Sequence, residues 1–335
     1  MRIIEHSYPG LAKWIDFLKA HASAFIVPAD LAPAGDWQQQ GEVTPNELCA
    51  TAYFAYDAKL MSTMAAALGK ADDAKQYHDL FLKIADAFAQ KWISADGKVA
   101  TGSQTAQVLA LYVGLIPEAQ RGASMKILAG DVESHHRQLT TGFVGTQWLL
   151  PTLAEGNRPD LAYSILEQEK NPSWGYMVKL GSTTIWESWN AMTPDGRING
   201  GPNSLNHCAL GSAGAWMYQD IGGISHPADD VGFKKIIIRP LIGGGLTSAS
   251  ASYECPYGTI KTSWKIDAHG LRLSVDVPVN TTAEIHVPAT DPSHVTEGGK
   301  PILSLAGIQK IPSQDGSAVF HVGSGSYIFF ANALH

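Results

Sequence analysis

The chain has 335 residues, 45% hydrophobic and 16% charged, with 33 glycines and 18 prolines that follow no period. That excludes collagen-like and disordered classes and gives enough material for a large core, so two domains are expected. The formal net charge of −7, without a basic run, argues against a nucleic-acid partner, and no apolar stretch approaches the roughly 18 residues of a membrane span.

The widely spaced Cys49, Cys208 and Cys255 imply no disulfide framework. The start, Met1-Arg2, runs straight into an amphipathic stretch through Lys19 and lacks the apolar core and cleavage site of a secretory signal. In that stretch Leu11, Trp14, Ile15 and Leu18 fall on one helical face. A second helix is predicted from a capping box, with Thr44 as cap, Pro45 at the first position and Glu47 closing the box, running to about Gly69. Tyr77, Leu80, Phe81, Ile84, Phe88 and Trp92 give a third helix its buried stripe. Further helices are expected over 104–115, 117–133, 143–155, 159–170 and 204–220, about eight in all. Two long loops remain, 22–43 and 171–203, and long ordered loops tend to carry function.

Beyond Gly232 the pattern changes to short β-branched and alternating runs. Strands are predicted at 234–240, 259–266, 271–279, 282–287, 318–322 and 327–330, with Ala268-His269-Gly270 as a hairpin turn. Turn signals every ten or so residues indicate an antiparallel β-sandwich, and the Gly, Pro and Asp cluster over 222–232 places a boundary there. The expected domains are 1–225 and 226–335.

The densest group of chemistry-bearing residues is Trp174-Gly-Tyr176 followed by Trp186-Glu187-Ser-Trp189. Indole faces stack on sugar rings, and a carboxylate beside them can activate water or stabilise positive charge. The same spacing also fits tryptophans in a core beside an ordinary surface glutamate. His207, expected in the first turn of the last helix, can donate to a sugar hydroxyl or simply bond to backbone. Asp36-Trp37 is another acid–aromatic pair on a long loop, where aspartate is also a common turn residue. Adjacent His135 and His136 point about 100° apart on a helix with no third ligand nearby, so no metal is expected. No cofactor is expected either, since phosphate-cradling, dinucleotide and nucleophile-elbow motifs are missing.

Several segments together resemble the α-L-rhamnosidases of glycoside hydrolase family 78. They are Gly35-Asp36-Trp37, Thr44 to Tyr53, Ser103-Gln-Thr-Ala106, Leu139-Thr-Thr-Gly142-Phe-Val-Gly-Thr146, Gly181 to Trp189, Ser204-Leu-Asn-His207 with Gly211 to Tyr218, and Phe233 to Pro240 leading into Tyr253 to Trp264. The resemblance implies an (α/α)6 barrel followed by a jelly-roll-like β-sandwich. It also implies an inverting hydrolase acting on rhamnose-containing glycosides or polysaccharides. By position Glu187 resembles the family's general base, and Trp37 and His207 its rhamnose contacts; Asp36, Trp174 and Trp186 are placed with them as substrate-binding candidates.

In one respect the sequence departs from the family. The general acid's segment, with its Cys-Pro-x-Arg-x-Glu pattern in an early barrel helix, has no counterpart here. The expectation is therefore a C-terminal portion of such an enzyme, an incomplete barrel carrying half of the catalytic pair. Its partners would be sugar and, to cover the open helical faces, a second copy or a complementing N-terminal chain. A non-catalytic rhamnose-binding remnant is the alternative.

Overall fold

A computed structural model describes residues 2–199, 203–228, 230, 232–289, 291–313 and 316–332. Contacts divide the chain into two units, Met1–Ser212 and Ala213–His335.

The first unit is helical: α1 (Arg2–His21), α2 (Asn46–Ala67), α3 (Ala71–Trp92), α4 (Gln104–Val113), α5 (Glu118–Ser134), α6 (Phe143–Glu155), α7 (Pro159–Leu166) and a short α8 (Trp174–Lys179). The helices form two layers. α2, α4 and α6 pack side by side, while α3, α5 and α7 each pair with an inner neighbour from outside. Sequence dictates which goes where. α4 is Gln-Thr-Ala-Gln-Val-Leu-Ala-Leu-Tyr-Val, buried at nearly every position as an inner helix must be, with the polar groups of Gln104, Thr105 and Gln107 hydrogen-bonded inside. α3 buries only the stripe Leu80, Ile84 and Phe88 and turns its charges to water. This inner–outer alternation is that of an (α/α)6 barrel.

The capping box expected at α2 is not formed. Pro45 occupies the N-cap position without a side-chain cap, because Thr44 is buried and its hydroxyl pairs instead with the Ser103 hydroxyl at 2.7 Å. Glu47 turns outward to Lys91 at 2.6 Å. Ser103 in turn caps α4, accepting from the Ala106 amide, and Gly114 at φ 87° ends it in the left-handed conformation that glycine adopts without a Cβ penalty.

The helix expected over 204–220 is broken into a 3-10 turn at Ala209–Ser212, a single α turn α9 (Ala213–Trp216) and a π turn at Met217–Ile221. Gly211 and Gly214, with Ser212 between them, lower the helix propensity of an otherwise alanine-rich stretch and account for the irregularity.

The second unit is two sheets. β1 (Ile224–Ser225), β2 (Lys235–Ile238), β6 (Thr282–Val287), β10 (Ala318–Val322) and β9 (Gln309–Ile311) form one, in that order. β3 (Ser248–Cys255), β4 (Gly258–Asp267), β5 (Gly270–Val277), β11 (Gly325–Ala331), β7 (Val295–Glu297) and β8 (Lys300–Pro301) form the other. Alternation delivers the core: β5 reads buried at Leu271, Leu273, Val275 and Val277, and β6 at Ala283, Ile285 and Val287. Phe320 of one sheet stacks on Phe329 of the other at 6.2 Å between centroids.

Besides the short strands β1, β7, β8 and β9, which lie outside the expected runs, two features differ from expectation. β2 pairs parallel with β6, Ile236 opposite Ala283, so the first sheet is mixed rather than purely antiparallel. β3 was not predicted because Ser-Ala-Ser-Ala-Ser-Tyr-Glu-Cys carries little β-branched signal; as an edge strand it is specified by its register on β4, Ser248 opposite Lys265 through Cys255 opposite Gly258. The β4–β5 hairpin turns at Ala268-His269, and Gly270 at φ 127° is required there, since a Cβ would stand 2.1 Å from the Ala331 carbonyl oxygen.

Candidate active site

The segment 171–203, expected to be irregular throughout, contains α8, capped by the Ser173 hydroxyl accepting from the Tyr176 amide at 3.0 Å. Its tryptophans lie beneath the surface. Trp186 and Trp189 are each 1% exposed, and Trp174, at 8%, donates from Nε1 to the Leu210 carbonyl at 2.7 Å and meets Trp189 edge-on. Trp174 and Trp186 are therefore packed beneath the loop.

Glu187, between two of these rings, is half-buried. Its backbone amide donates to the Ser204 carbonyl at 2.9 Å, and its Oε2 accepts from the Ser204 amide at 2.9 Å. Two residues earlier, the Ile185 carbonyl accepts from the His207 amide at 2.8 Å, and Thr184 Oγ1 donates to the Leu205 carbonyl. The stretches 184–187 and 204–207 thus run against each other. This pairing, invisible in local sequence, brings Glu187 and His207 onto adjoining segments. Among the described residues Oε1 of Glu187 has no hydrogen-bond partner.

His207 lies in the loop before the 3-10 turn, not in a helix. Its Nδ1 accepts from the Ala209 amide at 3.2 Å, and its ring stacks on Phe143 at 5.0 Å.

The Asp36–Trp37 pair is the reverse of Trp186–Glu187. Trp37 is 53% exposed, while Asp36 is 4% exposed and fully engaged. Its Oδ2 accepts from Thr105 Oγ1 and the Gly142 amide, and its Oδ1 from the Val144 amide at 2.9 Å and the Gly145 amide at 3.2 Å. The N-cap of α6 is Gly142, which has no side chain to cap the helix, and Asp36 supplies the missing acceptor from a distant part of the chain. Gly142 admits the loop and Gly145 admits α4: a Cβ on the first would sit 2.3 Å from the Trp37 carbonyl oxygen, and one on the second 2.2 Å from Thr105 Oγ1. Burial pushes the Asp36 carboxyl above the ordinary carboxylate range, while the hydroxyl of Thr105 and the three amides pull the other way. Expected as a substrate contact, Asp36 has its acceptor capacity spent inside the protein.

Backbone completes the connection, since the Phe143 amide donates to the Trp37 carbonyl at 2.8 Å. Trp37, Phe143, His207 and Glu187 thereby belong to one bonded and stacked series. Sequence reasoning missed Phe143, Thr105 and the two glycines. The signal was there: a helix start of the form Gly-Phe-Val-Gly without its own capping side chain requires an acceptor from elsewhere.

Residues 1–221 match the sequence model of the bacterial α-L-rhamnosidase six-hairpin glycosidase domain. The chain belongs to that family. Residues 223–301 match the bacterial α-L-rhamnosidase C-terminal domain. An α-L-rhamnosidase of Streptomyces avermitilis is 40% identical over 331 residues, which cover 98% of this chain and 31% of that protein. One from Formosa agariphila is 38% identical over 297 residues, covering 85% and 31%. Among solved structures, the Streptomyces avermitilis α-L-rhamnosidase complexed with L-rhamnose superposes with a TM-score of 0.91 at 40% identity, over 98% of this chain and 31% of that one. The α-L-rhamnosidase from Dictyoglumus thermophilum superposes with a TM-score of 0.88 at 34% identity, over 99% and 37%. The chain spans about 31% of the length of these two curated relatives.

Proposed function

We propose that this chain carries the water-activating side of a site that hydrolyses terminal α-L-rhamnosides with inversion, with Glu187 as general base and Trp37 and His207 as sugar contacts. The observation that carries the reading is the state of the Glu187 carboxylate. It is half-buried, one oxygen is fixed by the Ser204 amide, and the other has no partner among the described residues. A general base needs this combination: an oriented carboxylate with a free acceptor for a water proton. The exposed Trp37 indole offers an apolar face for a pyranose ring. His207, with Nδ1 accepting from a backbone amide, offers Nε2–H as a donor to a hydroxyl.

Inversion requires a second carboxyl roughly 6.5–9.5 Å from the base, with room for water between them. We assign that acid to none of the residues in this chain. We propose a domain boundary within 222–232, beside the junction of the two matched domains at residues 221 and 223, although contacts divide the chain at Ser212 and Ala213.

The test is release of nitrophenol from an aryl α-L-rhamnoside by the purified chain and by Glu187→Gln. An aryl leaving group needs little protonation, so the base side alone should support measurable turnover. Turnover that the substitution removes is the expected result. Absence of turnover in the parent, or equal turnover in both, would overturn the catalytic reading.

A further inference from the structure

The Asp36 carboxylate does more than cap a helix. Its four acceptor bonds end on α4, through Thr105, and on the first turn of α6, through Gly142, Val144 and Gly145. The residue after it, Trp37, holds the first residue of that helix through the Phe143 amide, and the Phe143 ring lies against His207 at 5.0 Å with an interplanar angle of 29°. A backbone amide can only donate, so the Ala209 amide on Nδ1 leaves the neutral imidazole with its proton on Nε2. The ring is thus fixed in both tautomer and tilt: by Ala209 from one side, by Phe143 from its face, and by the Ile185 carbonyl through its own amide.

We infer that Asp36 is a positioning residue, which through the α6 cap and the Phe143 ring sets the His207 Nε2–H donor and the Trp37 face in the relation that selects the hydroxyl pattern of a bound sugar. This rests on the proposed rhamnoside site for the identity of the sugar, but the geometric claim concerns His207 alone. Phe143 becomes a specificity-determining residue by the same route. Any ring that slides or tilts it redirects the His207 donor, and a smaller side chain leaves the imidazole free to turn.

The alternative is that Asp36 contributes only stability. The two are separated by a readout that needs no sugar: the imidazole nitrogen resonances of the 15N-histidine-labelled chain, which report tautomer and hydrogen bonding at His207. Asp36→Asn replaces two acceptor sites by an NH2 group facing backbone donors, and Phe143→Leu removes the stacked ring while leaving the cap. Thr105→Val removes a single donor and provides a folded variant should Asp36→Asn fail to fold. Ile84→Ala in α3, fully buried on the outer layer, serves as a control that lowers stability without touching the series. The expected result is that Asp36→Asn or Thr105→Val, and Phe143→Leu, shift and broaden the His207 resonances, while Ile84→Ala leaves them in place. L-Rhamnose affinity, followed on the same samples, should fall roughly three- to tenfold in the first group and hold in the control, as for loss of one oriented hydrogen bond. Unmoved His207 resonances in both Asp36→Asn (or Thr105→Val) and Phe143→Leu would overturn the positioning role. Moved resonances without any effect on rhamnose, in these variants and in Trp37→Ala, would instead refute the sugar reading and leave the positioning of His207 standing.

Discussion

Two loops of this molecule place an acidic residue next to tryptophan, and they fold in opposite senses. At 36–37 the acid is buried under four internal donors and the indole is left to solvent. At 186–189 both indoles are buried and the acid between them keeps one oxygen without a partner among the described residues. An acid–aromatic pair is thus no functional signature in itself. What separates a structural carboxylate from an available one is the number of donors the fold has aimed at it, and that is decided by residues distant in sequence: Thr105, Gly142 and Gly145 for Asp36, and Ser204 for Glu187.

The contrast can be broken by substitution, and the effects should rank by how much of each group lies inside. Trp186→Ala removes a fully buried indole and should cost about 3–5 kcal/mol in urea unfolding. Asp36→Asn leaves buried amides facing an NH2 group and should cost about 2–4 kcal/mol by the same measurement. Gly142→Ala forces a Cβ to 2.3 Å from the Trp37 carbonyl, so the loop must shift, and about 2 kcal/mol is expected. Trp37→Ala, on an exposed ring, should change stability by less than about 0.5 kcal/mol while weakening L-rhamnose binding, read by calorimetry, tenfold or more.

A third carboxylate extends the scale to its lower end. Asp160 is bonded by Arg158 through two nitrogens, at 2.9 Å each, but the pair is partly exposed. The Arg158 hydrogen bonds hold the Asp160 carboxyl below the usual range, so its stabilisation is present above the ordinary value of 3.8 and is lost as pH falls through the lowered one. Solvent screening should keep Asp160→Asn within about 0.5 kcal/mol near neutral pH, and the difference from the parent should vanish in strong acid.

Much of the fold was legible because periodicity reports burial directly. The α3 stripe and the alternation in β4, β5 and β6 each name the face that turns inward. What was not legible depended on partners remote in sequence. Thr44 reads as a cap until Ser103 is found beside it, β3 has no strand signal apart from its register on β4, and 204–220 reads as one helix although Gly211 and Gly214 let it change pitch. The same holds at the site. Sequence shows that an acid lies beside a ring and does not show which of the two is covered: Asp36, Trp174 and Trp186 are buried, while Glu187 and His207 are half-buried and Trp37 is exposed.

The most direct test measures two quantities on two variants of the 335-residue chain: unfolding free energy in urea, and turnover of an aryl α-L-rhamnoside, for Asp36→Asn and Glu187→Gln beside the parent. Glu187→Gln, with its amide oxygen still able to accept from Ser204, should unfold within about 1 kcal/mol of the parent and lose turnover by a factor on the order of 100 or more. Asp36→Asn should lose stability first, with turnover falling only as far as His207 is displaced. Turnover surviving in Glu187→Gln, or a stability loss there as large as that of Asp36→Asn, would contradict the division of the two carboxylates into one that works and one that holds.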